Sequence, residues 1–449
     1  MGKYFGTDGV RGVANTELTP EFVYKLGRAG AYVLTKETSH APKIIVGMDT
    51  RMSGDMLESA LIAGICSVGA HAVSLGIIPT PAVAHLVRQY NADAGVMISA
   101  SHNPVKDNGI KFFNNKGFKL ADEIENEIEN VIDNCIESIP RPIGIEVGTK
   151  KAALDALDDY ILFLSNTCHV RLNGIRVAVD CANGATYKAA PIVLHELGAE
   201  VLAIHREPDG TNINKNCGST HMEDLIKFVK ENNVDLGIAF DGDGDRCLAV
   251  DGNGEFVDGD KIMAICADEL KKEGKLKNDS LVATVMSNLG LFIMGKEKGI
   301  NIERTKVGDR YVLERMLERK DCLGGEQSGH IIFLDYNTTG DGILTAIQLL
   351  AIIKKTGKSL SELTKIMETL PQVLINAEVE NSKKNDYLED NVIKEEIDKL
   401  EKMFEGEGRV LIRPSGTEPI VRVMIEGRDK DVIEREAKKL ALLIEERLN

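Results

Sequence analysis

The chain has 449 residues, of which 43% are hydrophobic and 28% charged, and its net charge is −16. That balance fits a soluble globular protein and excludes a nucleic-acid footprint, which needs clustered positive charge. It does not exclude an anionic substrate, because a few Arg, Lys and backbone N–H groups capture a small anion locally.

Met1–Val10 is polar and Gly-rich, with neither the apolar core of a secretory signal nor the Ser or Thr of a myristoylation signal. Lys43–Met48 reads as a strand, and Met56–Val68 follows with apolar residues at helical period. Ala72–Leu75, Ala94–Ile98 and Ile110–Phe113 are further expected strands. Ala121–Glu137 is an expected acidic helix with Ile124, Ile128, Val131, Ile132 and Cys135 on one face. Pro140–Gly148 reads as a boundary.

A second cycle predicts strands at Arg176–Asp180, Glu200–Ile204 and Leu236–Phe240, and helices at Ala185–Leu197 and Met222–Asn232. A third cycle, from Gly259 to about Leu370, has strands near Leu281–Val285 and Ile331–Phe333. Within it the apolar stretch Ile343–Ile353 is too short to span a membrane and reads as a buried helix. VGMDTR, VAVDCANG and VATVMSN each follow a strand with a polar turn, a weak sign that the cycles repeat one unit. The last piece differs, with strands at Val373–Val379, Arg409–Ile412 and Ile420–Ile425 and helices at Asn385–Phe404 and Asp431–Leu448. The expected fold is α/β: three related domains with mixed or parallel sheets (1–150, 151–255, 256–370) and a C-terminal α+β domain (371–449), around a central cleft.

Eight scattered cysteines without a Cys-x-x-Cys pair read as reduced core thiols of a cytosolic protein. Cys217, His221 and His205 lack the paired spacing of a metal site and read as scattered polar and buried side chains.

Three stretches carry chemistry. MISASHNPVKDNGIKFF sets Ser101 at the end of a strand-like run, beside His102 and the turn-forming Asn103-Pro104, with Lys111 following. That suits a serine that carries or receives a group. In DGDGDR, Asp241, Asp243 and Asp245 alternate with glycines directly after an apolar strand, so three carboxylates converge on one point. They repel unless a cation sits among them, and oxygen donors select a hard ion such as Mg²⁺. An EF-hand is excluded, since Arg246 and Gly252 stand where it needs Gly and Glu. A phosphatase-type reading, with Asp241 as nucleophile, stays open as the rival. Arg246 fits a phosphate contact.

In RPSGTEP, Arg413 with nearby Arg422, the hydroxyls of Ser415 and Thr417, and Gly416 suggest an anion clamp. A plain turn is the alternative there. In GGEQSGH, Glu326 and Ser328 can bond hydroxyls or an amine, and His330 can shuttle a proton. No P-loop is present.

Together with the start KYFGTDGVRG, these segments resemble the α-D-phosphohexomutase superfamily over essentially the whole chain, and most nearly its glucosamine-phosphate branch. The resemblance implies that Ser101 is a phosphoserine whose phosphate joins Asp241, Asp243 and Asp245 in binding Mg²⁺. It implies Arg11, Lys111, Arg246 and His330 at the reaction centre, with Lys111 and His330 as acid/base groups. Glu326 and Ser328 would hold sugar hydroxyls, and Arg413, Ser415, Gly416, Thr417 and Arg422 the non-reacting phosphate. The implied reaction interconverts hexosamine 6- and 1-phosphates through a 1,6-bisphosphate, with a bisphosphate as primer. A glucose or mannose phosphate substrate, or a phosphohydrolase, are the alternatives. No nucleic-acid or membrane partner is expected, and a homodimer is left open.

Overall fold

The computed structural model describes residues 2–6, 8–415 and 419–449. They form two compact units, residues 1–286 with 300–366, and residues 287–299 with 367–449.

The first unit contains three sheets. The largest orders its strands Phe5–Gly6, Gly9–Val13, Asp107–Asn114, Ala94–Ile98, Lys43–Met48, His71–Ile77 and Lys150–Ala152. The second runs Phe256–Val257, Cys247–Asp251, Leu236–Phe240, Arg176–Asp180, Glu200–Ile204. The third runs Asn301–Thr305, Ser280–Thr284, Leu323–Gly325, Ile331–Phe333.

One plan recurs. Lys43–Met48, Arg176–Asp180 and Ser280–Thr284 each lie between two parallel neighbours. On one side of each, the neighbouring strand turns back as an antiparallel hairpin: Ala94–Ile98 into Asp107–Asn114, Leu236–Phe240 into Cys247–Asp251, Leu323–Gly325 into Ile331–Phe333. The repeat suggested by the three polar turns is therefore real, since those turns follow equivalent strands. Ala94–Ile98 and Leu236–Phe240 are buried along their whole length, as strands covered on both faces must be.

Helix boundaries depart from the sequence pattern in three places. The acidic helix is α-helical only over Asp122–Asn130. A π-turn at Val131–Cys135 and a 3-10 turn at Ile136–Ser138 complete it. The extra residue per turn in the π segment shifts the phase, so Val131 and Ile132 are buried while Cys135 is exposed. The helix expected from Ala185 starts at Ala189, and ahead of it the Ala185 N–H donates to the Gly242 carbonyl at 2.8 Å. The helix expected from Asn385 starts at Asn391, where the Asp390 side chain accepts from the N–H groups of Val392 and Ile393. The stretch Ile343–Ile353 lies in the buried helix Gly342–Thr356, capped by Asp341.

The second unit is an antiparallel sheet ordered Gln372–Glu378, Ile420–Gly427, Gly408–Pro414. Ile393 and Leu400 of the helix Asn391–Met403, and Ile433, Leu440 and Ile444 of the helix Lys430–Leu448, share its core with Val421, Val423 and Ile425. No helix among the described residues is long and apolar enough to cross a membrane.

Candidate active site

The three hairpins deliver the chemistry. The turn after Ala94–Ile98 carries Ser101, the turn after Leu236–Phe240 carries the aspartates, and the turn after Leu323–Gly325 carries Glu326, Ser328 and His330. Because each turn leaves the same edge of its sheet plan, residues distant in sequence meet.

Ser101 is 1% exposed and its backbone is left-handed, φ 51°. A non-glycine residue pays about 1–2 kcal/mol for that conformation, so the surroundings must hold it. The Ser101 N–H donates to Ser99 Oγ at 3.0 Å. Its carbonyl accepts from Arg51 and from Asn214, both at 2.9 Å. Arg51 also donates to the carbonyls of Asn103 and Pro104, and its guanidinium pairs with buried Asp49 at 2.9 Å. Ser101 Oγ donates to Asp241 Oδ2 at 2.6 Å and lies 3.3 Å from His102 Nδ1. Burial, with Arg246 and Arg11, pushes the His102 imidazole down to about 4, so that ring is neutral at physiological pH.

The aspartate turn depends on its glycines. Gly244 has φ +74°, and a Cβ on Gly242 would stand 2.6 Å from the Ser101 carbonyl. Glycine therefore lets the two turns touch. Asp241, Asp243 and Asp245 each bring a carboxylate oxygen within 4.8 Å of the others. Asp243 Oδ1 and Asp245 Oδ1 are buried without a hydrogen-bond partner. Converging hard oxygens with orphaned lone pairs fit a divalent ion such as Mg²⁺. Burial, with the charges of Asp245 and Asp243, pushes the Asp241 carboxyl well above the usual carboxylate range. Burial also resists charge on Asp245, but Lys111, His330 and Arg246 outweigh it and hold that carboxyl well below.

Lys111 is 1% exposed. Its Nζ lies 2.8 Å from Asp243, 2.9 Å from Asp8 and 3.7 Å from Asp245. Burial disfavours the ammonium, yet these carboxylates raise its pKa above the usual lysine value. Arg11 pairs with Asp8 at 2.5 Å. Lys119 pairs with both Asp8 and Asp309. His330 Nδ1 is 3.5 Å from Asp245, and Nε2 is 3.7 Å from Asp309. Nε2 accepts the Gly340 N–H at 3.1 Å, which assigns the neutral ring's proton to Nδ1. Burial lowers the His330 pKa, but Asp245 and Asp309 overcome it and the net shift is upward.

The result is one alternating network of acids and bases that runs from exposed Arg11 to buried His330. The backbone N–H of Arg246 donates to Asp241 Oδ1 at 3.1 Å, and Asp245, Asp241 and Glu326 raise the pKa of its side chain against burial. Glu326 Oε1 accepts the Gly308 N–H at 3.0 Å. Ser328 Oγ is buried without a partner, as a hydroxyl awaiting a ligand would be.

In the second unit, Arg413 and Arg422 are direct cross-strand partners. Residues so paired stand on the same face with Cβ atoms about 5 Å apart, where two cations repel unless an anion joins them. Ser415, buried, closes the turn through its N–H to the Ile420 carbonyl at 2.9 Å, and Lys384 donates to the Ser415 carbonyl. Gly416 and Thr417 lie outside the described residues.

Five participants escape a sequence reading. Asp8 sits in the opening motif but carries no chemical signature of its own. Asp49 and Arg51 form the polar turn after Lys43–Met48, which reads only as a repeat. Asn214 has no local signal. Lys119 reaches Asp309 across 190 positions.

Models of phosphoglucomutase/phosphomannomutase match the chain in succession. Their α/β/α domain I matches residues 2–138, domain II 158–254, domain III 258–370 and the C-terminal domain 374–443. The chain is 64% identical to the phosphoglucosamine mutase of Ruminiclostridium cellulolyticum over 449 residues, covering 100% of each. It is likewise 64% identical to that of Acetivibrio thermocellus over 448 residues, again 100% of each. A phosphoglucomutase/phosphomannomutase family structure from Burkholderia thailandensis shares the fold with a TM-score of 0.81. That match covers 99% of this chain and 97% of the other at 24% identity.

Proposed function

Because the chain belongs to the phosphoglucomutase/phosphomannomutase family, we propose that it interconverts glucosamine 6-phosphate and glucosamine 1-phosphate through phospho-Ser101 and a 1,6-bisphosphate. The observation that carries the chemistry is the Ser101 hydroxyl, held 2.6 Å from the first of three clustered aspartates. The amino-sugar substrate rests on the two full-length relatives named phosphoglucosamine mutase.

In the forward direction phospho-Ser101 gives its phosphoryl group to the sugar 1-hydroxyl, and a side chain takes the hydroxyl proton. Lys111 and His330 are the proton carriers. Arg246 and Arg11 contribute positive charge beside the transferring group. Bound by Asp241, Asp243 and Asp245, Mg²⁺ would neutralise that group and loosen the carboxylates' hold on the Lys111 proton. The bisphosphate then turns so that its 6-phosphate faces Ser101 and returns a phosphoryl group. Glu326 and Ser328 hold sugar hydroxyls. Arg413, Ser415, Gly416, Thr417 and Arg422 grip the phosphate that is not reacting. We place the enzyme in the cytosol, in keeping with its eight free cysteines.

An Asp241 nucleophile is disfavoured. Its carboxyl is buried and engaged by Ser101, whereas phosphoryl capture needs a free carboxylate.

Phosphorus NMR tests the proposal, with Mg²⁺, a trace of bisphosphate primer and glucosamine, glucose or mannose 6-phosphate in separate tubes. Fastest conversion of glucosamine 6-phosphate to its 1-phosphate is expected. Faster glucose or mannose conversion would move the substrate but keep the mechanism, and inorganic phosphate alone would overturn the mutase reading.

A further inference from the structure

A second cluster of ligating atoms lies away from the aspartate turn. Asp180 ends the strand Arg176–Asp180, and the chain returns to it twice, with His205 just after the strand Glu200–Ile204 and with Cys217. One oxygen of Asp180, one ring nitrogen of His205 and Cys217 Sγ lie within 4.8 Å of one another. Asp180 and Cys217 are fully buried. The imidazole pairing with Cys217 is that of His205, joined by Asp180 and not by His221.

His205 Nδ1 is 3.0 Å from Asp180 Oδ2, and that contact raises the pKa of the ring. Two donors sharing a tetrahedral ion at 2.0–2.2 Å stand about 3.4 Å apart, within a few tenths of an ångström of that spacing. The other ring nitrogen, Nε2, faces Asp224 Oδ2 at 3.5 Å. A carboxylate behind the ring is the usual outer partner of a metal-bound histidine. Asp180 is itself held, its oxygens accepting the N–H groups of Ala182 at 2.8 Å and Gly218 at 2.9 Å.

We propose that Asp180, His205 and Cys217 form a binding site for a thiophilic divalent cation of the Zn²⁺ class, with a water completing a tetrahedral shell. Sulfur, nitrogen and oxygen donors together select such an ion over Mg²⁺. Binding releases to solvent the Cys217 thiol proton, as the S–metal bond forms, and the second ring proton of whatever His205 is protonated, so that a neutral imidazole and the Asp180 carboxylate supply lone pairs. Burial, with Asp180 and Asp224, pushes the free Cys217 thiol up to about 12. Thiolate and carboxylate together cancel the ion's charge.

The site has a structural consequence. The excursion from His205 to Cys217 carries Asn214, whose N–H donates to the Ala182 carbonyl and whose side chain donates to the carbonyls of Ser101 and Asn103. An ion tying both ends of that excursion to Asp180 would brace the turn that holds Ser101.

Cobalt titration of the metal-stripped full-length protein, in excess Mg²⁺, tests this. One equivalent of Co²⁺ should give a thiolate-to-cobalt charge-transfer band with intense tetrahedral d–d bands, displaced by Zn²⁺. An all-oxygen site at the aspartates cannot produce that signature. Cys217→Ser should abolish the band. If that variant does not fold, His205→Gln, at a partly exposed position, must weaken cobalt binding at least tenfold. Cys181→Ser should retain the band. Absence of the band in the wild type overturns the proposal, as does its persistence in Cys217→Ser. So does a His205 imidazole that titrates by NMR as a simple ion pair, unmoved by Zn²⁺.

Discussion

At the scale of single residues, the reaction centre stores unfavourable states that its neighbours enforce. Ser101 occupies a left-handed conformation that glycine adopts freely. Ser101→Ala and Ser101→Gly should both lose mutase turnover while remaining folded. Ser101→Gly should be the more stable of the two by about 1 kcal/mol, the relief of the left-handed strain. Urea denaturation of the pair measures that difference, and equal midpoints would mean the backbone is not strained there. The same logic applies to the carboxylates. Asp241 and Asp245 are four residues apart but are pushed in opposite directions, because Lys111 and His330 stand beside Asp245 whereas burial and the neighbouring charges of Asp245 and Asp243 act on Asp241. A pair of acids so separated is the pattern of a site that moves charge.

At the scale of elements, the serine turn is supported from beneath by a buried ion pair. Arg51 connects Asp49 to three carbonyls of the turn, those of Ser101, Asn103 and Pro104. Arg51→Met should cost about 3–5 kcal/mol, because it leaves Asp49 as an uncompensated buried charge. Activity should fall further than the loss of folded protein explains, read by comparing turnover with the folded fraction in a thermal melt.

A second element-scale prediction concerns the packing of the helices Thr80–Gln89 and Ala156–Asn166. His85 stacks on Phe163 with ring centroids 3.7 Å apart, and its Nε2 meets Gln89 at 3.0 Å. Burial, then Arg88, lowers the His85 pKa from 6.5 to about 4, against a weak opposing pull from Asp159. The unfolded chain therefore binds a proton there between those pH values and the folded chain does not. The resulting stability is full above pH 6.5 and is lost as pH falls toward 4, on the order of 3 kcal/mol for the whole shift. His85→Phe should flatten that part of the stability–pH profile, measured by denaturant midpoints across the window.

At the scale of the whole molecule, the residues proposed for the chemistry, Ser101, the aspartates, Lys111, Arg246 and His330, belong to the first unit, and those proposed for the phosphate clamp, Arg413, Ser415 and Arg422, belong to the second. Arg413→Ala should therefore raise KM for the phosphosugar about tenfold to a hundredfold, the worth of one charge-assisted hydrogen bond, with a smaller effect on kcat. Arg413→Lys should recover only part of the loss, since an ammonium keeps the charge but not the two-pronged geometry. Steady-state kinetics of the two variants separate these outcomes, and an unchanged KM in Arg413→Ala would remove that residue from the clamp.

Much of this protein was legible in its sequence because local chemistry is written locally. Short apolar runs placed the strands Ala94–Ile98, Arg176–Asp180, Leu236–Phe240 and Ile331–Phe333 at their observed bounds. The carboxylates at 241, 243 and 245 announced a cation site, since glycine spacing and like charge are properties of six consecutive residues. Local pattern missed two helix ends: the helix after Ala185 begins only at Ala189, and the acidic helix closes through a π-turn. What only the tertiary structure decided was which charges face one another. Asp8, Lys111, Lys119, Asp309 and His330 come from four separate stretches, and their pKa values depend on burial and on distances of a few ångströms. The same holds for Asp180, His205 and Cys217, whose spacing matches no ligand motif and which meet only because two parallel strands end side by side. Coulomb energies in a dry interior fall with distance through space, and a sequence records distance only along the chain.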